Sequence, residues 1–395
     1  MLVFKGEVEG RLIFMSFVLN AIYFSLSLFV LILISLGAYN FAFKNNVNNP
    51  VADPAKKAAL ADTVGLLPTG EEHISNAINE NLLGTSIGGD GLVYYYSLDD
   101  QSLKKATLEG RNKTVLMSNF PGEVTRVLWS SKQDRALLLL NQTGGGTLWY
   151  LATFGNKSLT PLKGEMSRLA WDNLGEKIFY QYTDSVTKTR TLNVSNPDGS
   201  NWKKLADLGQ ADFFLSAVPQ SSQVSFWNRP MAKNQSTLEI VSTVGEGRHT
   251  LFSGTWGGDY AWSPNGDLAL VSSADTASSI PSLRIINAGN GSAQTLSIPT
   301  IISKTTWSKD GHTLFYALPG GLPDKAVLPD DYFGKPLYTK DTFWKVDVTT
   351  GKKTRLITLK ENTQGFDSSD LFLSPNEDAL YFTDRISKRL FRIEI

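Results

Sequence analysis

A short sequence unit recurs along most of the chain, and this repeat limits the possible folds more than any other feature. The clearest copy begins at Trp262 with the letters WSPNG and continues into an apolar stretch. Related copies begin at five other positions: Trp129, Trp171, Leu215, Trp307 and Leu373. Successive copies start about 42 to 47 residues apart, except where an insertion of roughly 20 residues lengthens the last interval, and this period is typical of a four-stranded propeller blade.

Each copy has the chemistry of a tight turn between two antiparallel strands. Pro264 restricts the backbone to a turn dihedral, and Asn265 and Gly266 tolerate positive φ. Alternating apolar and polar residues follow, as in residues 282–286, and a shorter outer segment such as 294–296 ends the unit. The sequence therefore predicts an all-β chain built from repeated antiparallel sheets.

The WSPNG turn followed by an apolar strand resembles the repeat of TolB-like propellers, which are relatives of the WD-repeat proteins. The resemblance covers roughly residues 71–395. Six anchored units, together with the strand pattern of residues 81–119, predict a seven-bladed β-propeller, with six or eight blades as alternatives. The resemblance implies protein interaction as the function, but propellers host many unrelated activities.

The last unit contains three apparent strands and then the chain stops. An open edge would expose a row of unpaired backbone groups. We therefore expect a segment near residues 73–78 to pair there and to join the two ends of the repeat array. The alternative is a three-stranded last blade with a mobile N-terminal linker.

A long apolar segment precedes the repeats. Residues 12–36 contain no charged side chain and only Asn20 as a strongly polar one, which is long enough for a membrane-spanning helix. We predict a tail over residues 1–11, a transmembrane signal anchor over 12–38, a flexible linker over 39–70 and the propeller over 71–395. A cleaved signal peptide is the alternative, and the excess of Lys and Arg before the span favours an extracytoplasmic propeller at the cell membrane.

Several chemistries are disfavoured by the composition. Lys plus Arg (38) equals Asp plus Glu (38), and no basic run suggests nucleic-acid binding. Three scattered histidines and no cysteine give no zinc motif, no EF-hand loop is present, and no cofactor is expected. The G-x-S-x-G match at residues 84–88 lies among predicted antiparallel strands, whereas a nucleophile elbow needs a strand-to-helix turn.

Loops that connect neighbouring blades give the best candidate binding surface. The insertion at residues 319–338 lies on that face, beside loops 228–230 and 256–259. The candidate partner-binding residues are Arg229, Trp256, Asp259, Asp330, Asp331, Tyr332, Phe333 and Tyr338. Alternatively, the insertion packs its own aromatic residues as a lid over the central channel.

The expected function is a membrane-anchored scaffold that binds a protein or peptide of the cell envelope. The alternative is a glycan- or peptide-processing hydrolase with a carboxylate site on the same loop face. Ionisable groups that converge at the channel mouth would favour the hydrolase.

Overall fold

Antiparallel β-strands make up almost all of the regular secondary structure in the described chain, as the alternating sequence pattern predicts. The computed structural model describes residues 74–277, 280–334, 337–358 and 365–395. The predicted tail, membrane anchor and linker therefore lie outside the described residues. Within the described ranges, no helix is both long enough and apolar enough to cross a membrane.

The described strands form six sheets, in which consecutive strands pair. Four sheets have four consecutive strands each: β2–β5 (Leu82–Ile87, Val93–Ser97, Ser102–Ala106, Thr114–Met117), β6–β9 (Glu123–Trp129, Arg135–Asn141, Thr147–Thr153, Ser158–Pro161), β10–β13 (Met166–Trp171, Ile178–Thr183, Arg190–Ser195, Lys203–Gly209) and β21–β24 (Thr305–Trp307, Thr313–Leu318, Thr342–Asp347, Lys353–Arg355). The remaining two sheets are β14–β20 (Phe213–Ala217, Gln223–Asn228, Gln235–Ser242, His249–Trp262, Leu268–Ala274, Ser282–Asn287, Ala293–Thr295) and β25–β27 with β1 (Ser368–Leu373, Ala379–Asp384, Leu390–Glu394, Ile74–Ile78). A short helix α1 spans Asp330–Gly334, and a 3₁₀ turn spans Ile302–Lys304.

The seven-stranded sheet contains one strand that serves two groups. Strand β17 is 14 residues long. Its first half pairs with β16 as far as Trp256, and its second half pairs with β18 from Trp256 to Trp262. A register shift between Trp256 and Asp259 separates the two halves. The sheet therefore consists of two four-stranded groups that share β17.

The two ends of the repeat array are joined by strand pairing. Strand β1 pairs antiparallel with β27, with Ile74 opposite Ile393 and Ile78 opposite Leu390. This pairing covers the edge of the last sheet, which would otherwise be open. The prediction that an N-terminal segment completes the last unit is confirmed for Ile74–Ile78. Consistently, β2 contacts both β6 of the next sheet and β25 of the last.

Three of the recurring Trp residues are hydrogen-bonded to the preceding four-stranded group. The indole Nε1 of Trp129 donates to the Gly84 carbonyl oxygen at 2.7 Å, and that of Trp171 donates to the Leu128 carbonyl oxygen at 2.8 Å. The Trp262 indole donates to Ser225 Oγ at 2.9 Å. An indole N–H that is withdrawn from water needs a hydrogen-bond acceptor, and in these three cases the preceding four-stranded group supplies it.

The Ser after the anchor position closes the turn. Ser263 Oγ accepts the Leu268 amide at 3.0 Å, and Ser374 Oγ accepts the Ala379 amide at 2.9 Å. A small hydroxyl residue therefore follows the anchor because it satisfies a backbone amide within the turn.

The hydrophobic core is divided into layers between neighbouring sheets. One layer joins Leu137 and Trp149 of the second sheet to Ile178 and Tyr180 of the third, and all four are buried. Facing apolar side chains of this kind stabilise the array, because each sheet has two faces to cover. The packing between neighbouring sheets thus fixes the position of the first strand of each repeat.

Candidate functional site

A charged residue occurs three positions before the anchor residue of six repeats. These residues are Arg126, Arg168, Asp212, Asp259, Lys304 and Asp370. They lie in or next to the first strand of each four-stranded group. Some of these first strands contact each other, as β10 does with β14 and β21 with β25. The repeat thus places the six ionisable side chains at equivalent positions, which we call one level of the fold.

Backbone bulges give these side chains their direction. The register shifts around Arg126 in β6, between Ser167 and Ala170 in β10, and between Ser369 and Phe372 in β25. Arg168 has φ 52° and Asp370 has φ 51°, a left-handed conformation that is uncommon for residues with a Cβ. Bulges often turn a side chain away from the sheet next to a functional site. The repeated bulge therefore makes this level the first place to look for function.

A cavity of about 510 Å³ opens at this level and is lined by three arginines, Arg126, Arg168 and Arg229. Arg168 is held by a bidentate ion pair with Asp212, with distances of 3.1 Å from Nε and 2.6 Å from Nη2. Its guanidinium also stacks over the Phe214 ring, 4.5 Å from the ring centre. One of the three cations is thus neutralised and fixed.

The other two arginines have no such partner. Within the described chain, the guanidinium groups of Arg126 and Arg229 make no hydrogen bond or ion pair. Arg126 and Arg229 are both exposed residues. Partial desolvation by the surrounding protein, followed by the positive charge of Arg168, lowers the pKa of Arg126, and Asp370 opposes this shift. Two guanidinium groups without a hydrogen-bonded partner among the described residues therefore line the cavity together with Asp259 and Asp330, and a ligand carboxylate could bind them.

Apolar side chains border the same cavity. Met231 is 40% exposed and Phe333 is 60% exposed, and both line the cavity with Phe214. Exposed aromatic and thioether groups beside cations are typical of surfaces that anchor a ligand.

Asp259 lines the cavity as a carboxylate with an unusual environment. Its Oδ1 accepts hydrogen bonds from the Trp227 indole and from the Tyr260 amide, both at 3.1 Å. Burial nevertheless raises the pKa of Asp259 to about 6. This carboxyl therefore changes its charge close to neutral pH.

The described residues of the insertion, 319–334 and 337–338, are hereafter called the lid segment, and Asp330, Phe333 and Gly334 of this segment line the cavity. Asp330 Oδ1 accepts the Ala232 amide at 2.9 Å, in the loop between β15 and β16. In another sheet, Arg385 of the β26–β27 turn donates to the Tyr332 carbonyl oxygen at 3.0 Å and to the Leu337 carbonyl oxygen at 3.3 Å. The lid segment is thus fastened at two distant sheets.

A buried group of charges anchors the lid segment. Lys304 is fully buried, and its Nζ donates to Asp341 at 2.6 Å, Asp367 at 2.8 Å, Thr339 at 3.1 Å and the Ser368 carbonyl oxygen at 2.8 Å. We call these five residues, with Tyr332 and Arg385, the anchor cluster.

The last two members of the anchor cluster connect it to the lid segment. The Tyr332 hydroxyl donates to Asp367 at 3.1 Å, and Arg385 donates to the other oxygen of Asp367 at 2.8 Å. The Arg385 guanidinium also lies 3.8 Å from the centre of the Tyr332 ring. Every charge in the anchor cluster is therefore compensated within the protein.

The structure brings together four of the eight residues predicted from sequence: Arg229, Asp259, Asp330 and Phe333 line the cavity. The other four lie elsewhere. Asp331 accepts the Val327 amide within the lid segment, Tyr332 is buried in the anchor cluster, Trp256 lies at the centre of β17, and Tyr338 is 53% exposed outside the cavity lining. Tyr332 thus packs as the lid alternative expected, while Phe333 stays exposed.

Sequence reasoning missed Arg126, Arg168 and Lys304. Their signal was the position three residues before each anchor, which is charged in six repeats. The sequence also suggested setting aside the G-x-S-x-G match, and Ser86 indeed lies within β2, which pairs antiparallel with β3.

Comparisons with known proteins identify the fold class. No protein-family model and no curated protein matches the sequence. An oligogalacturonate lyase in complex with manganese superimposes with a TM-score of 0.56 at 12% identity, over 82% of this chain and 90% of that chain. An oligogalacturonate lyase from Vibrio parahaemolyticus gives 0.56 at 10% identity, over 82% and 91%. TolB from Acinetobacter baumannii gives 0.44 at 10% identity, over 88% and 71%.

The two lyases are β-propeller proteins, and this chain therefore has a β-propeller fold. At 10–12% identity the similarity extends to the fold alone. The function has to be argued from the site itself.

Proposed function

We propose that this protein is a binding module that takes an acidic peptide segment of a partner protein in the cavity beneath the lid segment. The observation that carries the proposal is the pair of arginines, Arg126 and Arg229, which face the cavity without a compensating partner among the described residues. Arg is the side chain best suited to hold a carboxylate with two parallel hydrogen bonds.

The apolar border supports a peptide rather than a small inorganic anion. Phe333 and Met231 present exposed hydrophobic area beside the cations, and such anchors contribute strongly to protein interfaces. A segment with acidic residues next to an apolar one satisfies both features. The Arg168–Asp212 ion pair holds one charged group of the cavity in a fixed position. A fixed group of this kind favours one register of the bound peptide.

The finer architecture is part of the same proposal. We assign the sheets to seven blades: four complete four-stranded sheets, two blades that share β17, and a last blade completed by β1. We further propose that residues 12–38 anchor the chain in a membrane and that residues 39–70 connect this anchor to an extracytoplasmic propeller. The partner would then be a protein or peptide of the cell envelope.

A hydrolase is the second candidate, and one observation favours it. A carboxyl with a pKa of about 6 can serve as a general acid near neutral pH. Asp259 and Asp330 both line the cavity, and a glycan- or peptide-processing hydrolase would use such a pair. Asp330, however, already holds the lid segment through the Ala232 amide, so we prefer the binding function.

The test uses two fluorescein-labelled peptides of the same length, one alternating Glu with Leu and Phe and the other carrying Gln in place of Glu. We expect the full chain in detergent to bind the Glu peptide more tightly than the Gln peptide. Fluorescence anisotropy measures both affinities. Replacing both Arg126 and Arg229 by Gln should weaken binding by about 100-fold or more, since each of the two charge-assisted hydrogen bonds contributes roughly 1.5–3 kcal/mol and about 1.4 kcal/mol corresponds to tenfold.

The matched control is Arg392→Gln, because Arg392 is paired with Glu394 in β27 at 2.8 Å. That variant should bind the Glu peptide as the unmodified protein does. Equal affinity for the two peptides would refute the proposal, as would equal losses in the cavity and control variants. Asp259→Asn separates the candidates, because a hydrolase loses turnover of peptide or glycan substrates whereas the binding module keeps its affinity.

A further inference from the structure

A second concave site, separate from the cavity beneath the lid segment, lies on the sheet β10–β13, next to the connection between β9 and β10. It has a volume of about 300 Å³, which is at the lower end for small-molecule sites. None of its lining residues belongs to the cavity beneath the lid segment. We call it the Trp202 groove.

Strand register explains why the floor of the groove is continuous. Met166 lies opposite Tyr182, and Tyr182 lies opposite Thr191; in the next row Tyr180 lies opposite Asn193. Residues opposite one another share a face of the sheet. Met166, Tyr180 and Asn193 are each at most 4% exposed, so they form a fixed floor rather than a mobile surface.

The wall of the groove is an exposed indole. Trp202 is 60% exposed, although most tryptophans bury their large apolar area. The repeat does not require this Trp, because it occupies none of the anchor positions. A flat aromatic face that borders a concave site is suited to stack against a ligand.

The floor also contains an unsatisfied polar atom. Asn193 Nδ2 donates to Thr191 Oγ1 at 2.9 Å, while the amide oxygen Oδ1 is buried and has no hydrogen-bond partner within the described chain. A buried acceptor left in this way costs roughly 1–3 kcal/mol. A hydroxyl donor from a ligand would recover that energy.

Charges at the rim are balanced. Lys204 is paired with Asp207 at 3.0 Å. Lys163 and Asp184 also line the groove with opposite charges, and Asp184 Oδ1 accepts the Val186 and Thr187 amides. The groove therefore offers donors and acceptors without a strong net field. This combination suits a neutral, hydroxyl-rich ring with one apolar face.

We propose that the Trp202 groove binds a neutral saccharide unit, with the apolar face of the sugar ring on Trp202 and its hydroxyls at Asn193, Thr191 and Asp184. This site is independent of the acidic-peptide site. It would give the propeller a second ligand, a glycan, in addition to the peptide in the cavity beneath the lid segment.

The test is isothermal titration calorimetry of the full chain in detergent with cellotetraose, chitotetraose and maltotetraose, and with adenosine as a planar nucleobase probe. We expect saturable one-site binding of at least one tetrasaccharide. Trp202→Ala should weaken it by about tenfold or more, whereas Trp202→Phe, which keeps an aromatic face, should retain most of the affinity. Thermal unfolding of both variants should match that of the unmodified protein, because Trp202 is exposed.

The matched control is Phe333→Ala, since Phe333 is exposed to the same 60% but lies in the other cavity. That variant should bind the saccharide normally, and Trp202→Ala should bind the Glu peptide normally. The proposal is overturned if none of the three tetrasaccharides binds, if adenosine alone binds, or if Trp202→Ala and Phe333→Ala bind saccharide equally. Failure of peptide binding alone would refute only the proposed peptide site in the cavity beneath the lid segment and would leave the groove proposal intact.

Discussion

The position three residues before the anchor residue has opposite surroundings in two of the repeats. Lys304 is fully buried in the anchor cluster and donates to four oxygen acceptors. Arg126, its counterpart in another repeat, faces an open cavity and makes no hydrogen bond or ion pair within the described chain. Both are cations three residues before an anchor Trp. The repeat fixes where each charge lies, and the residues outside the repeat pattern, here Thr339, Asp341 and Asp367, decide whether the protein compensates it.

Lys304 and Arg126 therefore have different roles, one in stability and one in ligand binding. A buried cation without partners would be too costly to keep, so the anchor cluster must be complete for the lid segment to stay in place. An exposed cation without partners costs little, and it remains available for a ligand. We therefore assign stability to the anchor cluster and binding to the two free arginines.

The largest expected effect is on the anchor cluster. Lys304→Met leaves the carboxylates of Asp341 and Asp367 buried with less positive charge nearby. We expect a loss of about 3–5 kcal/mol in the free energy of unfolding, because removal of one partner from a buried ion pair is strongly destabilising. The urea midpoint of the full chain in detergent, followed by tryptophan fluorescence, would show it.

The matched control is Lys132→Met, because Lys132 and Glu176 form an exposed ion pair at 2.9 Å. That variant should change the free energy of unfolding by about 0–1 kcal/mol. If Lys304→Met is tolerated as well as Lys132→Met, the anchor cluster does not hold the fold and the comparison fails.

A smaller, pH-dependent effect is expected at Asp259. Its pKa is raised from 3.8 to about 6 in the folded protein, so the folded state binds the proton more tightly than the unfolded state. The folded protein therefore loses stability as the pH rises from about 4 to 6. Asp259→Asn keeps the acceptor for Trp227 and Tyr260 and removes this penalty. The variant should be more stable by roughly 2–3 kcal/mol at pH 8, since one pKa unit corresponds to about 1.4 kcal/mol.

At pH 4 the difference between the Asp259→Asn variant and the unmodified protein should shrink to roughly 0.5 kcal/mol, because the carboxyl is then neutral in the folded state and only about half ionised in the unfolded state. Thermal unfolding at pH 4, 6 and 8 gives the comparison. A stability difference that does not change with pH would contradict the assigned cause.

The smallest stability effect is expected at the free arginines. Replacing Arg126 and Arg229 together by Gln breaks no ion pair within the described residues and removes the repulsion between Arg126 and Arg168. The free energy of unfolding should change by less than about 0.5 kcal/mol. The same denaturation experiment measures it, and a loss comparable to that of Lys304→Met would mean that these arginines are structural.

The architecture was largely predictable, because it rests on local chemistry that repeats. The Trp-Ser turn, the alternating strands and the unpaired edge of the last unit led to repeated sheets and to the closing strand near Ile78, and the pairing of β1 with β27 confirms the latter. The predicted membrane anchor over residues 12–38 stays a prediction.

The site was only partly predictable, because its geometry depends on contacts between distant residues. Arg229, Asp259, Asp330 and Phe333 were selected from loop composition and meet in one cavity. Asp367 and Arg385 could not be found in this way, since only the lid segment brings them to Tyr332. Arg126 and Arg168 carried a readable signal in their repeat position, and what the pattern could not show was which charge would find a partner.

Reversing the charge of Arg126 and Arg229 tests most directly the claim that these two residues bind an acidic peptide. The affinities of the unmodified protein and of the double variant Arg126→Glu, Arg229→Glu are measured for a Glu-rich peptide and for the same peptide with Lys in place of Glu. We predict that the unmodified protein prefers the Glu peptide and that the double variant prefers the Lys peptide. An unchanged preference after the reversal would contradict the assignment of these two arginines to ligand binding.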